Sequence, residues 1–428
     1  MPRPTAGLRL AALALAALPA ISAAESSEPS GQGSSSKPAE TKLWGSAYFQ
    51  VVAADALSAQ VKKWGVAQET GLALNLRSAA GLELLSDFVI PVSLDRDLSL
   101  NTVLQQLAVR LALSDSVTLV AGKQRLNWGT AKIFSAIDTL EARANPIDVR
   151  SILAGVAGVK AVFIPTDWLS FSLVGLPASE LRYSGGAARA DFVAEDLGLD
   201  LGFGVVKYTH LDWSAAAGTT PEKLDRVALM SDGAWSAGSL VLYEETQLRW
   251  GRETGYQLPA MAAFNDLGGR DQAVLRGVGG MMLQLDLGLK RPALLVAEYL
   301  YNGDGLTTGE SRAFAADYAA WQDSGYPSGA RVPAAFTGIG GFRRHYLSAA
   351  LQSVAVNRYL LLGASGILGL DSRFSRIGLS LEWDPTQQTS IAFRYEYYMA
   401  FLDGADQPTE LLLIPFRHRA ALTFTTSY

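Results

Sequence analysis

The chain of 428 residues lacks cysteine altogether. This absence excludes a disulfide framework, thiolate metal sites and cysteine nucleophiles. Histidine is nearly as scarce, because the chain has only His210, His345 and His418, which lie far apart and form no pair with helical metal-ligand spacing. The sequence therefore predicts no metal site and no cofactor. It also has no Gly-x-Ser-x-Gly elbow and no convincing serine partner for a histidine, so we expect no enzymatic activity.

Charge is also low, at 18% of residues, and the formal net charge is only −5. Proteins that bind nucleic acid carry a basic patch or stripe, and this chain shows none. The composition therefore indicates no nucleic-acid partner.

Long hydrophobic runs are absent except near the start, where residues 8–21 are apolar apart from Arg9, and Arg3 precedes the run. Small residues follow at positions 22–24, so residues 1–24 are predicted to be a secretory signal peptide. Beyond them no run of about 18 apolar residues occurs, which argues against helical membrane spans. Residues 25–43 are rich in Ser, Glu, Gly, Pro and Lys and predict a disordered periplasmic leader.

Alternating apolar and polar residues dominate residues 44–428. In the last stretch, 417–428, Ala420, Leu422 and Phe424 share one parity, while Arg419 and Thr423 share the other. Side chains of a strand alternate between two faces, so this is a strand with one apolar and one polar side. We expect it to pair with the first strand, near residue 44, and so to close a β-barrel.

The number of strands supports this interpretation. Without the ambiguous segment 81–92 we count about 17 strands, and with it about 18, and single-chain bacterial barrels have an even number. Connections then alternate between short turns and long loops, as in barrels with periplasmic turns and extracellular loops, with the brief outer turn near Asp371-Ser372 as the exception. The long connections are 128–155, 175–186, 210–223, 251–273, 302–344 and 400–415.

The predicted fold is therefore all-β: a transmembrane antiparallel β-barrel of about 18 strands, with 16 as the alternative, over residues 44–428. Apolar outer faces would contact outer-membrane lipids, and aromatic residues near strand ends suit interfacial girdles. The expected location is the cell outer membrane.

One motif carries a family resemblance. Residues 122–129 read Gly-Lys-Gln-Arg-Leu-Asn-Trp-Gly, and a loop with Asp138, Asn145-Pro146 and Asp148 follows. This resembles outer-membrane porin-like barrels related to the alginate-export type, whose strands end in a Gly-Arg-Gln-Arg-x-x-Trp-Gly-like motif. Residues 297–305, Ala-Glu-Tyr-Leu-Tyr-Asn-Gly-Asp-Gly, also resemble such barrels. The resemblance implies passage of small or polymeric solutes through the lumen and draws attention to Lys123 and Arg125.

A barrel of about 18 strands is wide enough for an aqueous channel, whose selectivity would come from charges facing the lumen. The basic candidates are Arg110, Lys123, Arg125, Arg249, Arg276, Arg376 and Arg394. The acidic candidates are Asp286, Glu298, Glu382 and Glu396. Two alternatives stay open for each: a lumen charge that acts on solute, and one that is solvated or paired with a neighbouring strand. For Lys123 and Arg125 a third is anchoring of the long loop through Asp138 or Asp148.

The sequence thus predicts a porin-like channel for diffusion or export of small polar or saccharide solutes. The alternative is a surface adhesin or structural barrel that presents long loops. The loop at 302–344 is the best candidate for folding into the pore, although its aromatic residues could equally form a surface cap. The final strand resembles the C-terminal signal that barrel-assembly machinery recognises, with Phe424 and Tyr428 as its aromatic residues. The oligomeric state is not predicted.

Overall fold

The computed structural model describes residues 42–58, 61–78, 82–91, 103–126, 128–137, 155–178, 184–212, 222–252, 272–289, 292–323, 341–400 and 417–427. They form 18 strands, one α-helix and a single 3-10 turn at Glu195–Leu197. The first nine strands are β1 Lys42–Ser58, β2 Val61–Arg77, β3 Leu82–Pro91, β4 Leu104–Ser114, β5 Val117–Gln124, β6 Val156–Thr166, β7 Leu169–Leu176, β8 Gly185–Ala194 and β9 Leu199–Asp212. The other nine are β10 Glu222–Ala237, β11 Leu240–Trp250, β12 Ala273–Leu285, β13 Ala293–Asn302, β14 His345–Ala355, β15 Leu360–Gly369, β16 Phe374–Trp383, β17 Thr389–Ala400 and β18 His418–Ser427. Helix α1 is Thr308–Asp323.

The strands make one closed antiparallel sheet. Each strand pairs with its neighbours in the chain, and β1 pairs with both β2 and β18. At the closure Phe49 lies opposite Phe424 and Val51 opposite Leu422. The predicted 18-stranded antiparallel barrel is confirmed, as is closure of the last strand on the first.

The parity argument for segment 81–92 is also confirmed, because β3 occupies Leu82–Pro91. Strand β2 is longer than its clear alternation, which covers only 71–77. Its first ten residues extend a 17-residue hairpin with β1, in which Val61 lies opposite Ser58. The first ten residues of β2 therefore form a strand because they pair with β1, although their own alternation of apolar and polar residues is weak.

The outer wall of the barrel is apolar. On the regular hairpin β16–β17, Ile377, Leu379, Leu381 and Phe393 are all more than a third exposed, while Arg376 and Glu396 on the opposite faces are buried. An apolar outer face and a polar inner face are the signature of strands that cross a bilayer. In the part of the chain that the structure describes, no helix is both long and apolar enough to cross a membrane.

The hydrophobic core lies inside the barrel. Inward residues such as Tyr243, Val296 and Tyr346 cluster with Ile133 and Phe134, which belong to the connection between β5 and β6. The rings of Phe134 and Tyr346 are 6.3 Å apart. A part of that connection therefore occupies the lumen and packs against the wall.

Candidate functional site

The part of the β5–β6 connection that lies inside the barrel is residues 128–137, called here the inner segment. It begins beside β5 but contacts β11 and β13, which are six and eight strands further round the barrel. Ile133, Phe134 and Ile137 are buried against the wall, whereas Lys132 is exposed. The inner segment therefore extends across the lumen and narrows it.

Glu298 of β13 is the first of two wall carboxylates that hold the inner segment. Its side chain is 1% exposed and accepts hydrogen bonds from three consecutive backbone N–H groups, those of Lys132 (2.6 Å), Ile133 (3.0 Å) and Phe134 (2.8 Å). Successive N–H groups of this kind form a concave anion-binding site. The buried charge is thus satisfied by backbone donors.

Tyr243 of β11 supplies a further donor to Glu298. Its hydroxyl donates to Oε1 over 2.8 Å, although β12 lies between the two strands. Gly280 is the β12 residue opposite both, and a Cβ there would lie 2.3 Å from the tyrosine ring. Glycine at this position therefore lets the ring lie across β12 and reach the carboxylate.

Glu245 of β11 is the second wall carboxylate and is likewise 1% exposed. It accepts hydrogen bonds from the backbone N–H groups of Ala131 and Ala136, each over 2.8 Å, and from the Ser135 hydroxyl over 3.1 Å. Hydrogen bonds to an ionised acceptor are about twice as strong as neutral ones. Two carboxylates thus fix six consecutive residues of the inner segment.

Gly129 makes this approach feasible. Its φ is +100°, a conformation that L residues rarely adopt, and a Cβ on it would lie 2.2 Å from Oε1 of Glu245. Glycine is therefore required at position 129 both for its backbone conformation and for the close approach of the Glu245 carboxylate.

An acidic and basic cluster lies on the wall of β8–β10. Arg189 donates to Asp191 and Asp232, with 2.5 Å to each nearest oxygen, and its guanidinium carbon is 6.0 Å from the centroid of the Trp128 ring. The Arg189 side chain lies over Gly202, where a Cβ would meet it at 2.1 Å. The start of the inner segment is therefore in contact with a charged part of the wall.

Between the inner segment and the wall of β11–β17 lies a cavity of about 660 Å³. The inner segment contributes Lys132, and the opposite wall contributes Arg376, Glu382 and Arg394. Ser365, Ser380 and Gln352 add hydrogen-bonding groups. Apolar residues such as Val296 and Ile367 make up the rest of the lining, so the cavity is part polar and part apolar and carries charges of both signs.

Three of the predicted lumen residues, Arg376, Glu382 and Arg394, thus line this cavity. Glu298 also faces the lumen, but its carboxylate is engaged by the inner segment. Arg376 is further paired with Glu396, which also pairs with Arg419 (3.0 Å).

Of four other predicted residues, three lie elsewhere on the inner wall and the fourth, Arg125, directly follows β5. Arg110 is half-exposed, with an Nη1–Oε2 distance of 3.6 Å to Glu83. Arg276 lies opposite Gln247 and Asn302, on the inward face of β12. Arg249 pairs with Asp304, which follows β13. Arg125 pairs with Asp87 of β3, while Asp138 and Asp148, its suggested partners, lie outside the described residues.

Two predictions are corrected. Lys123 is on the same face as the exposed outer residues Leu107 and Val109, because Gln124 takes the inward position and β5 ends there. Its Nζ donates to the carbonyl of Leu104. Asp286 follows the last residue of β12 and accepts a hydrogen bond from the N–H of Gly288 over 3.0 Å, so it is a turn residue and not a wall residue.

The expectation for the loop at 302–344 also changes. Residues 303–323 and 341–344, called here the outer cap, fold on strand ends: the N–H of Gly303 donates to the carbonyl of Leu275, and Phe314 packs on Phe342 with ring centroids 5.8 Å apart. Among the described residues it is the inner segment, and not this loop, that is held across the lumen. Residues 324–340 lie outside the described part.

The structure describes one of the two aromatic residues of the predicted C-terminal signal. Phe424 lies opposite Phe49 and Ile391 on the outer face of β18. Tyr428 lies outside the described residues, and its role in membrane insertion stays a prediction.

Sequence reasoning missed Glu245, Tyr243 and Arg189. The alternation of β11 did contain a signal, because Glu245 has the same parity as Arg249, which was selected. Nothing in the sequence indicated that backbone N–H groups from another part of the chain would meet it.

The fold and its apolar outer wall define an outer-membrane β-barrel of the porin type. No family model and no curated protein sequence matches the chain. Solved structures do: OccK5 of Pseudomonas aeruginosa is 9% identical, with a TM-score of 0.50 over 91% of this chain and 98% of its own. OccK11 of the same organism is 12% identical, with a TM-score of 0.50 over 91% and 95%. At these identities the likeness shows the fold, and the alginate-export subgroup stays a prediction.

Proposed function

We propose that the protein is a porin-like channel through which small polar or saccharide solutes diffuse or are exported across the outer membrane. The observation that supports this most is the inner segment, held by two buried carboxylates beside a cavity of about 660 Å³ whose lining includes charges of both signs. A barrel that served only to present surface loops has no need of such an arrangement within its lumen.

The cavity suggests what kind of solute passes. Arg376 and Arg394 stand with Glu382 on the wall, and Lys132 projects from the inner segment. Charges of both signs in a narrow aqueous passage favour hydrated, hydroxyl-rich or zwitterionic solutes over a single ionic class. Trp128, at the cavity edge, offers an apolar surface against which a sugar ring can pack.

The test is planar-bilayer recording of the refolded protein, followed by liposome swelling with neutral saccharides of increasing size. We expect discrete conductance steps, and swelling rates that fall sharply at a size set by the cavity. A folded barrel that gives neither current nor swelling contradicts the proposal and favours the adhesin alternative.

A further inference from the structure

Glu244 is a carboxylate on the lipid-facing side of the barrel. On β11 it shares a face with Leu242 and Trp250, which are 41% and 44% exposed, and it is itself exposed. It is the fifth of the strand's eleven residues, and a strand of about 9–11 residues spans a bilayer. Glu244 therefore lies well within the hydrocarbon region.

The residues beside Glu244 are small. Gly233 of β10 and Gly279 of β12 lie directly opposite it, and Gly277 is the next outward residue of β12. A Cβ built on Gly279 would meet nothing within 4 Å. On the β12 side the wall thus has a shallow depression beside the carboxylate, whereas on the β10 side Gly233 is buried and the Leu201 side chain lies against it, 2.9 Å from where a Cβ would be.

Two hydroxyl groups complete what we call the Glu244 patch, comprising Glu244, Thr246, Ser231, Gly233, Gly277 and Gly279. The Thr246 hydroxyl donates to Glu244 Oε2 over 2.9 Å, and Ser231 lies opposite Thr246. Around the patch are the exposed apolar residues Leu229, Trp235 and Leu275. A polar floor is therefore surrounded by an apolar rim.

Lipid is a poor cover for such a patch. Charged side chains on the lipid face of a barrel are destabilising, most of all near the bilayer midplane. Acyl chains at that depth offer no hydrogen-bond donors. Small residues, by contrast, allow two membrane-embedded surfaces to approach closely.

We propose that the Glu244 patch is the contact surface of a two-fold symmetric dimer of this chain. The patch carries the Glu244 acceptor and the Ser231 hydroxyl donor at separate positions, so a two-fold axis between them sets each donor against the acceptor of the other copy and keeps the two carboxylates apart, as an isologous interface requires. A second copy in the same bilayer also brings its Ser231 and Thr246 hydroxyl groups to the same depth as Glu244. The leucine and tryptophan rims then meet around the polar floor and exclude lipid.

The absence of cysteine allows a clean test. Thr246→Cys places one thiol at the centre of the contact, and Leu379→Cys places one on β16, at a position 55% exposed to lipid. In native outer membranes treated with a mild oxidant, we expect a disulfide-linked dimer from Thr246→Cys at several times the yield from Leu379→Cys. Equal yields from the two variants overturn the proposal.

Native mass spectrometry of the detergent-extracted protein gives an independent readout. Wild-type protein should be dimeric, and Glu244→Leu, which removes the acceptor and suits the lipid face, should be monomeric. The heat-modifiable migration of the barrel on gels shows that each variant is folded. A monomeric or trimeric wild type, or a Glu244→Leu variant that stays dimeric, contradicts the proposal.

Discussion

The inner segment and the outer cap are both connections folded onto the barrel, but they are held in opposite ways. The inner segment offers backbone N–H groups to wall carboxylates, Glu245 and Glu298. The outer cap offers carboxylates, Asp304 and Glu310, to arginines near the end of β11. The first arrangement demands almost nothing of the segment's side chains, whereas the second depends on them.

The outer cap also has a local signal that starts its helix. Thr307 and Glu310 form a capping box at the start of α1, in which the N–H of Glu310 donates to the Thr307 hydroxyl and the N–H of Thr307 donates to Oε2 of Glu310 (2.7 Å). Glu310 also accepts from both terminal nitrogens of Arg252, at 2.6 and 3.1 Å. One carboxylate thus starts the helix and attaches it to the wall.

The largest effect is expected from Glu298→Gln. The amide keeps one acceptor but directs N–H donors at the backbone N–H groups of the inner segment, so several charge-assisted hydrogen bonds of about 1.5–3 kcal/mol each are lost. Since 1.4 kcal/mol is a factor of ten, release of the segment should become at least roughly tenfold more frequent. Single-channel recording should show larger, noisier current steps.

Glu195→Gln is the matched control, because it makes the same charge change in an exposed turn at the opposite edge of the barrel from the loops. Its conductance should equal that of the wild type. If Glu298→Gln also behaves as the wild type does, the inner segment is not held by this carboxylate.

Gly129→Ala should have the next largest effect. A methyl group there is both strained by the φ of +100° and in collision with Glu245, at a cost of roughly 1–3 kcal/mol. The inner segment should shift, with altered conductance and a lower unfolding temperature. Gly238→Ala has a φ of +61° but no atom within 4 Å, so it separates strain from collision. Conductance should be normal in that control, and equal conductance changes in both would rule out the collision.

Arg394→Gln should have a moderate effect on selectivity. The substitution removes one positive charge at roughly 10 Å from a passing ion in water. The electrostatic energy of that ion then changes by about 0.4 kcal/mol, which is close to a twofold change in permeability ratio. The reversal potential in a salt gradient should therefore move toward cation preference. Lys123→Gln, on the outer face, should leave it unchanged, and a shift there would show that the assigned register of β5 is wrong.

The smallest effect concerns pH at the outer cap. Burial opposes ionisation of Glu310, but hydrogen bonds from Arg252 and Thr307 prevail and lower its pKa to about 2. Because this pKa is below its ordinary value, the ionised carboxylate stabilises the cap above about pH 4.5, and the contribution disappears as the pH falls toward 2. Hydrogen exchange in α1 should accelerate over that range in the wild type but not in Glu310→Gln. Exchange that is independent of pH after correction for intrinsic rates would contradict this.

Much of the wall could be predicted because alternation and parity are local to each strand. On β16 and β17 the inward set Arg376, Glu382 and Arg394 was found, since the hairpin is regular and ends at a clear turn. Lys123 was misplaced because the last inward position of β5 is Gln124, one residue away, and a shift of one residue reverses every side chain.

The inner segment could not be predicted from its own residues. Its attachment uses backbone N–H groups, which every residue except proline has, and the acceptors lie more than 100 positions away on β11 and β13. Gly129 was visible in the motif. The close approach of Glu245, which explains why glycine is needed there, exists only in the closed barrel. The loop at 302–344 was favoured instead because its aromatic residues are conspicuous, and of these Phe314, Tyr318 and Phe342 pack on one another within the outer cap.

The central claim, that two wall carboxylates hold the inner segment across the lumen, is tested most directly by a distance measurement. Spin labels at Lys132→Cys and Leu347→Cys report on the separation between the inner segment and β14 in a chain with no other cysteine. Pulsed electron resonance should give one narrow distance distribution, which broadens when Glu245→Gln and Glu298→Gln are combined. A broad distribution in the doubly labelled protein before those changes, or a narrow one after them, would contradict the account.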